Sequence, residues 1–310
     1  MNENQKSVSL FDEETLNDSV TFAERTIGRL DGLYRPLPKN AIDKSKGYCA
    51  TIRFLPNITD DMKMGHSIIE KAVHYANLPN EYDLSGYYDS LTNFGEKCPL
   101  TTLYWRLKKS DNAVDNERSK TINKTTKYYS YIVIVEDEQH PEFVGKIMAY
   151  PYGFKIKEKI QNEKEGKNPD DKKCNIFDPA NGKDFCLVVK EVAGFPNYDN
   201  SYFKTASPVK IWNADGKKIT LPVVFDENKQ RNKITNKKSE TALVEFLHTR
   251  TMKLEDNAPQ RWSADEQRKV NDIVAVLSGK RPTAPISVDT SKTDDNDESL
   301  DAFFGEMKDD

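Results

Sequence analysis

Strand-like and helix-like patterning alternate along most of the chain. Residues 48–56 bring Ile52, Phe54 and Leu55 together in a β-compatible run that closes on Pro56, and this predicts a strand. The clearest strand is 128–135, where three tyrosines lead into four β-branched residues. An acidic turn separates it from a second strand at 145–150, and the two are expected to pair antiparallel. Further strands are expected at 185–192 and 219–225. Helical spacing is expected from Asp18 or Ser19 to about Leu30, at 67–76, at 101–109 and at 240–250. The last helix carries the strongest signals. Ser263 and Glu266 form a capping box, Val270, Ile273, Val274 and Leu277 lie on one face, and Gly279 is a natural stop. Pro36 and Pro38 break the chain before the first strand, and the charged run 157–173, with Gly166 and Pro169, reads as a surface loop. From Pro282 onward periodicity ends and disorder is expected.

Composition narrows the class. The 310 residues are 36% hydrophobic and 31% charged, with 14 Tyr and 14 Phe. No apolar run approaches the roughly 20 residues that cross a bilayer, and residues 1–6 lack the pattern of a signal peptide, so no membrane partner is expected. Cys49, Cys98, Cys174 and Cys186 are scattered, which suits free thiols in a reducing cytoplasm. The net charge of −4 hides an asymmetry: residues 282–310 carry −7, which leaves +3 on residues 1–281. A basic body with an acidic tail points to nucleic acid or to a tail with its own partner.

Catalytic signatures are missing from the sequence. It holds no glycine-rich phosphate loop, no G-x-S-x-G and no H-E-x-x-H, and none of the four histidines pairs with a nucleophile. No enzyme is expected.

Three segments instead place aromatic residues beside lysines on strand-like sequence. Lys124 and Lys127 lead into Tyr128, Tyr129 and Tyr131; Lys146 leads to Tyr150, Tyr152 and Lys155; Lys190 leads to Phe195 and Tyr198. An aromatic in a strand is more often core than platform, and a lysine more often only solvated. Their threefold coincidence favours binding of a single nucleic-acid strand. Lysines neutralise phosphates, and each base stacked on a ring is worth about 1–3 kcal/mol whatever its identity.

At these residues the chain resembles the single-stranded DNA-binding (helix-destabilising) proteins of T-even-type bacteriophages. The resemblance runs through 47–56 with Arg53-Phe54-Leu55-Pro56, 124–135, 142–160, 181–198 with Gly194-Phe195-Pro196-Asn197-Tyr198-Asp199, and the acidic C-terminus. It implies an α+β chain with an OB-fold-like β-barrel core at 41–281, a small inserted subdomain at about 60–120, peripheral helices and a disordered acidic tail at 282–310. It also implies an N-terminal arm, 1–40, for self-association along DNA. The expected function is sequence-tolerant coating of single-stranded DNA in phage DNA replication, recombination and repair, in the cytoplasm of the infected host. Residues 289–310 are expected to recruit proteins of those processes. The expected DNA-binding residues are Arg53, Lys124, Lys127, Tyr128, Tyr129, Tyr131, Lys146, Tyr150, Tyr152, Lys155, Phe195 and Tyr198. Strand alternation puts Tyr129 and Tyr131 on one face and Tyr128 on the other, whereas the resemblance groups Tyr128 with Tyr129. A single-stranded RNA-binding translational regulator, or an interaction scaffold working through its tail, fits the same residues.

Two features depart from the family pattern. A zinc-stabilised subdomain held by one histidine and three cysteines is implied, but here the matching positions read His74, Ser90, Cys98 and Thr101. Two ligands do not close a structural zinc site, so no zinc and no cofactor are expected. Residues 1–40, with seven acids and five bases, lack the compact basic motif of the family arm.

Overall fold

The protein is described by a computed structural model covering residues 32–79, 82–167, 172–213 and 215–280. Residues 1–31 of the arm expected at 1–40, with the helix from about residue 18, and the whole tail expected at 282–310 lie outside the described residues. The architecture is mixed α+β.

Eight antiparallel strands form one curled sheet, a half-barrel: β1 (Tyr48–Phe54), β2 (Ile69–Ala76), β3 (Gly86–Asp89), β4 (Lys124–Asp137), β5 (Ile147–Tyr152), β6 (Lys183–Val192), β7 (Phe195–Asn197) and β8 (Tyr202–Ala206). β4 is its spine. One edge of β4 pairs first with β2, from Lys124 to Tyr129, and then with β1, from Ile132 to Asp137; the other edge pairs with β5. A register shift between Thr51 and Ile52 adds to the bend, as an inserted residue does in any antiparallel pair. β6 continues the sheet beyond β1 and carries β7 and β8. Two small ribbons follow, β9 (Lys210–Trp212) with β10 (Lys218–Thr220), and β11 (Val223–Asp226) with β12 (Arg231–Ile234).

Among the described residues the helices are α1 (Pro99–Lys108), α2 (Ala113–Lys120), α3 (Phe154–Glu165), α4 (Lys237–Leu247) and α5 (Ala264–Leu277). The capping box at Ser263 and Glu266 is formed as the sequence predicts, and Gly279 stands just past the end in the left-handed region.

Three apolar cores divide the molecule. The inner face of the half-barrel packs Ile52, Phe54, Ile132, Ile134, Tyr150 and Phe185 against Ile156 and Ile160 of α3. The outer face of β4 and β5 packs Tyr129, Tyr131, Val133 and Ile147 against Phe246 and Leu247 of α4. A separate core joins α1, the β2–β3 pair and α5 through Leu100, Leu103, Ile122, Val270 and Ile273. β4 is covered on both faces, which is why its apolar run is nearly unbroken. Burying an aliphatic side chain of this kind contributes roughly 1.5–3 kcal/mol.

Three sequence expectations are corrected. Residues 67–76 form strand β2 rather than a helix. Ala72, Val73 and Ala76 suit both periods, and pairing with β3 and β4 decides between them. Within the expected loop 157–173, α3 runs to Glu165; it hides Ile156 and Ile160 among charged neighbours and stops at Gly166, φ +63°. The strand expected at 219–225 is two strands split at Pro222, which has no N–H to give a ladder. No helix among the described residues is long and apolar enough to cross a membrane, and all four cysteines are unpaired.

Candidate nucleic-acid interface

β4 decides the geometry because its side chains alternate without a bulge between Tyr128 and Tyr131. Tyr128 faces the inner core, and Tyr129 and Tyr131 face the outer one. Strand alternation therefore prevails over the grouping of Tyr128 with Tyr129.

On the inner face, β5 sets Tyr152 opposite Tyr128, with Tyr150 two residues earlier on the same side. The rings form a ladder: Tyr128 to Tyr152 at 5.8 Å and 25°, Tyr152 to Tyr150 at 5.7 Å and 27°. Ser130 Oγ shares a hydrogen bond of 2.9 Å with the Tyr152 hydroxyl. The Tyr150 hydroxyl is buried with no hydrogen-bond partner among the described residues, and burial pushes its pKa well up. α3 begins two residues after Tyr152 and brings the Lys157 ammonium to 5.7 Å from the centre of the Tyr128 ring. From the same helix Lys159 donates to the Asp199 carbonyl at 3.2 Å, and Lys155 lies 3.9 Å from the Asp199 carboxylate. Asp199 directly follows Tyr198, which is half-buried against the inner core.

Phe195 reaches this region from a tight hairpin. Val192 pairs with Phe195, so Ala193 and Gly194 form a two-residue loop, with φ of +52° and +81°. Two positive φ values in a row match the twist of the flanking strands, and only Gly takes this conformation without cost. The turn holds Phe195 out at 73% exposure and Val192 at 55%. Exposed to this degree, the Phe195 ring takes no part in the three apolar cores.

A second aromatic group occupies the outer face of the β2–β3 pair. Tyr75 and Tyr87 stand opposite each other with centroids 4.8 Å apart, and both are exposed. The Lys127 ammonium sits 4.2 Å over the Tyr87 ring. Burial lowers the Lys127 pKa, and the like charges of Arg35 and Lys71 lower it further. Lys71 is already paired with the Asp89 carboxylate at 2.8 Å, and an anion beside Lys127 and Arg35 would relieve the remaining repulsion. A cavity of about 640 Å³ opens by the first residue of β6, the end away from the Phe195 hairpin. Lys172, Lys173, Lys183, Lys204 and Arg231 line it beside Asp178.

Of the twelve residues expected to bind DNA, Lys146, Lys155 and Phe195 are exposed, and Lys124, Lys127 and Tyr198 are half-buried. Tyr128, Tyr129, Tyr131, Tyr150, Tyr152 and Arg53 are buried in the folded chain. Tyr131 is held under the segment 252–257: its hydroxyl donates to the Met252 carbonyl and accepts from the Leu254 N–H, and burial pushes it up to about 12. Arg53 is wholly buried, paired with Asp184 at 3.3 Å and donating to the Asp178 carbonyl at 2.9 Å. Lys146 lies six residues before Tyr152 along β5, roughly 20 Å away, next to Phe143. The second aromatic and basic segment of the sequence also contains Lys157 and Lys159, whereas Tyr75, Tyr87, Lys71 and Arg35 did not stand out, the Tyr75–Tyr87 pair because β2 reads as a helix.

The family described as gp32 DNA binding protein like matches residues 47–254, which takes in the whole half-barrel, the third core up to Ile122 and both aromatic groups. The chain belongs to this family. The single-stranded DNA-binding protein of Enterobacteria phage T2 is 31% identical to it over 182 residues, and that of Enterobacteria phage T4 is 30% identical over 182 residues. Each match covers 55% of this chain and 55% of the relative, so the chain spans about half the length of the curated relatives it matches.

Proposed function

We propose that the chain binds single-stranded DNA with little sequence preference and coats transient single strands during phage DNA replication, recombination and repair, without catalysis. The observation that carries this reading is the cluster of Lys155, Lys157 and Lys159 on α3 between the Tyr128 ladder and the segment of half-buried Tyr198 and Asp199, with the exposed ring of Phe195 three residues before Tyr198. Lysines at that spacing follow a phosphate backbone, and rings beside them take unpaired bases. The half-barrel serves as an OB-fold-like platform. Binding drains the single-stranded side of the duplex equilibrium by mass action, so helices are destabilised without a nucleotide cofactor. The naming of the T2 and T4 relatives as single-stranded DNA-binding proteins favours DNA over RNA as ligand. In this reading residues 1–40 serve self-association along the strand, and residues 289–310 recruit replication, recombination and repair proteins in the host cytoplasm.

The test is a fluorescence titration with poly-dT, duplex DNA and a matched RNA. The wild-type chain is expected to prefer poly-dT. Phe195→Ala and Tyr198→Ala are each expected to weaken it by about 1–3 kcal/mol, with folding kept. Unchanged affinity in both variants sinks this interface. The Tyr75–Tyr87–Lys127 group supports a second path over the outer face. Loss of affinity in Tyr87→Ala but not in Phe195→Ala would favour that path.

A further inference from the structure

Four polar side chains converge in the third core. His74 lies on β2, Ser90 directly follows β3, Cys98 stands at the start of α1 and Thr101 sits in its first turn. His74, Ser90 and Cys98 are buried to within 1%. His74 Nδ1 lies 3.1 Å from the Ile122 carbonyl oxygen. A carbonyl only accepts, so Nδ1 carries the ring proton and Nε2 is left as an acceptor. The Thr101 hydroxyl lies 2.9 Å from Nε2 and donates to it, and Ser90 Oγ lies 3.4 Å from the same hydroxyl. Ser90 Oγ also lies 2.9 Å from Thr92 Oγ1, and Thr92 Oγ1 accepts from the Lys124 ammonium at 3.0 Å. The Cys98 thiol faces the same groups.

A neutral imidazole with Nδ1–H fixed on a backbone carbonyl and Nε2 turned inward is the arrangement of a metal-ligating histidine. Cys98 and Thr101 stand at the spacing of a Cys-x-x-Cys ligand pair. The donors themselves do not fit zinc. A closed structural site takes four nitrogen, thiolate or carboxylate ligands, and only His74 Nε2 and Cys98 Sγ qualify. Hydroxyls of Ser and Thr stay protonated at neutral pH and bring no charge to balance a dication. Thr101 already satisfies the nitrogen a metal would use.

We propose that this cluster is a metal-free clasp on the frame of a tetrahedral zinc centre, in which the Ser90 and Thr101 hydroxyls stand where two thiolates would and tie β2, the end of β3 and the first turn of α1 together by hydrogen bonds. The clasp is two substitutions from a ligand set of three thiolates and one imidazole. It holds the third core without a metal and ends at Lys124, one of the twelve residues that the sequence assigns to DNA.

The experiment compares the full wild-type chain with Ser90→Cys/Thr101→Cys. Wild-type protein is expected to purify without stoichiometric zinc and to keep its Tm in EDTA. The double variant is expected to take up Co2+ with thiolate charge-transfer and tetrahedral d–d bands, and to gain several degrees of Tm with Zn2+. If the double variant folds only when zinc is present, that also supports the shared frame. Stoichiometric zinc in the wild-type chain, with a fall in Tm on chelation, overturns the proposal. A folded double variant that binds neither ion overturns it as well. In the wild-type background, Thr101→Val keeps shape but strands His74 Nε2, and is expected to lower the urea midpoint, while Thr101→Ser keeps it. Equal midpoints for Thr101→Val and the wild type would show that the hydroxyl clasps nothing.

Discussion

Tyr150 and Tyr152 are two residues apart on one strand, yet their hydroxyls differ. Tyr152 shares a hydrogen bond with Ser130, and Tyr150 has none among the described residues. A buried hydroxyl without a partner loses its hydration for nothing, a penalty of about 1–3 kcal/mol. Tyr150→Phe is therefore expected to raise the unfolding free energy by about 1 kcal/mol, read from the urea midpoint at unchanged slope. A fall in the midpoint would show that the hydroxyl has a partner after all. Arg53 presents the opposite case. Its guanidinium is buried against Asp184, which keeps only Lys210, at 3.2 Å, if Arg53 is removed. Arg53→Met is expected to cost about 3 kcal/mol of stability by leaving a buried carboxylate underpaired. Any loss of DNA binding in that variant is then expected to track the unfolded fraction and to vanish under conditions that restore folding. A variant that stays fully stable and still loses affinity would return Arg53 to the interface.

α3 is the element that joins core to interface. Its apolar side, Ile156 and Ile160, closes the half-barrel, and its lysines 155, 157 and 159 line the ladder and the Tyr198 segment. Replacing the three lysines by alanine leaves the buried side untouched. The slope of log affinity against log salt is expected to flatten by about 0.7 for each phosphate that is no longer neutralised, so by up to about 2 in all. An unchanged slope would move the phosphate path off α3. The same element shows why the sequence was only partly legible. The strands β1, β4, β5 and β6 and the helix α5 could be read because long apolar runs and a capping box admit one interpretation. α3 offers two apolar residues in a charged run, which is also what a solvated loop looks like. β2 suits both periods, and only its partners β3 and β4 choose. The candidate site failed to read for a related reason. A tyrosine in a strand is platform or core according to what covers that face, and α3, α4 and the segment 252–257 cover most of β4. Phe195 stays in the open because the two-residue Ala193-Gly194 turn carries it beyond the faces those elements cover.

At the scale of the whole molecule, charge sets the terms. Residues 1–281 carry +3 and residues 282–310 carry −7, with Leu300, Phe303 and Phe304 set among the acids. An acidic segment with aromatic residues, tethered to a basic and aromatic surface, resembles the ligand proposed for that surface, so it is expected to compete with DNA for it within one chain. An intramolecular competitor of even about 1 kcal/mol lowers the apparent affinity about fivefold, because the binding-competent fraction falls by that factor. Both the competition and the DNA contacts are screened as the Debye length shrinks from about 30 Å at 0.01 M salt to about 8 Å at 0.15 M. The DNA contacts also weaken with each counterion no longer released. Deleting residues 287–310 is thus expected to tighten poly-dT binding about fivefold or more at about 50 mM salt, with the advantage shrinking as salt rises. The truncated chain is also expected to lose capture of replication and repair proteins while still binding DNA. Equal affinities at low salt would leave the tail a docking segment only, one that never covers the Phe195 hairpin or the lysines of α3.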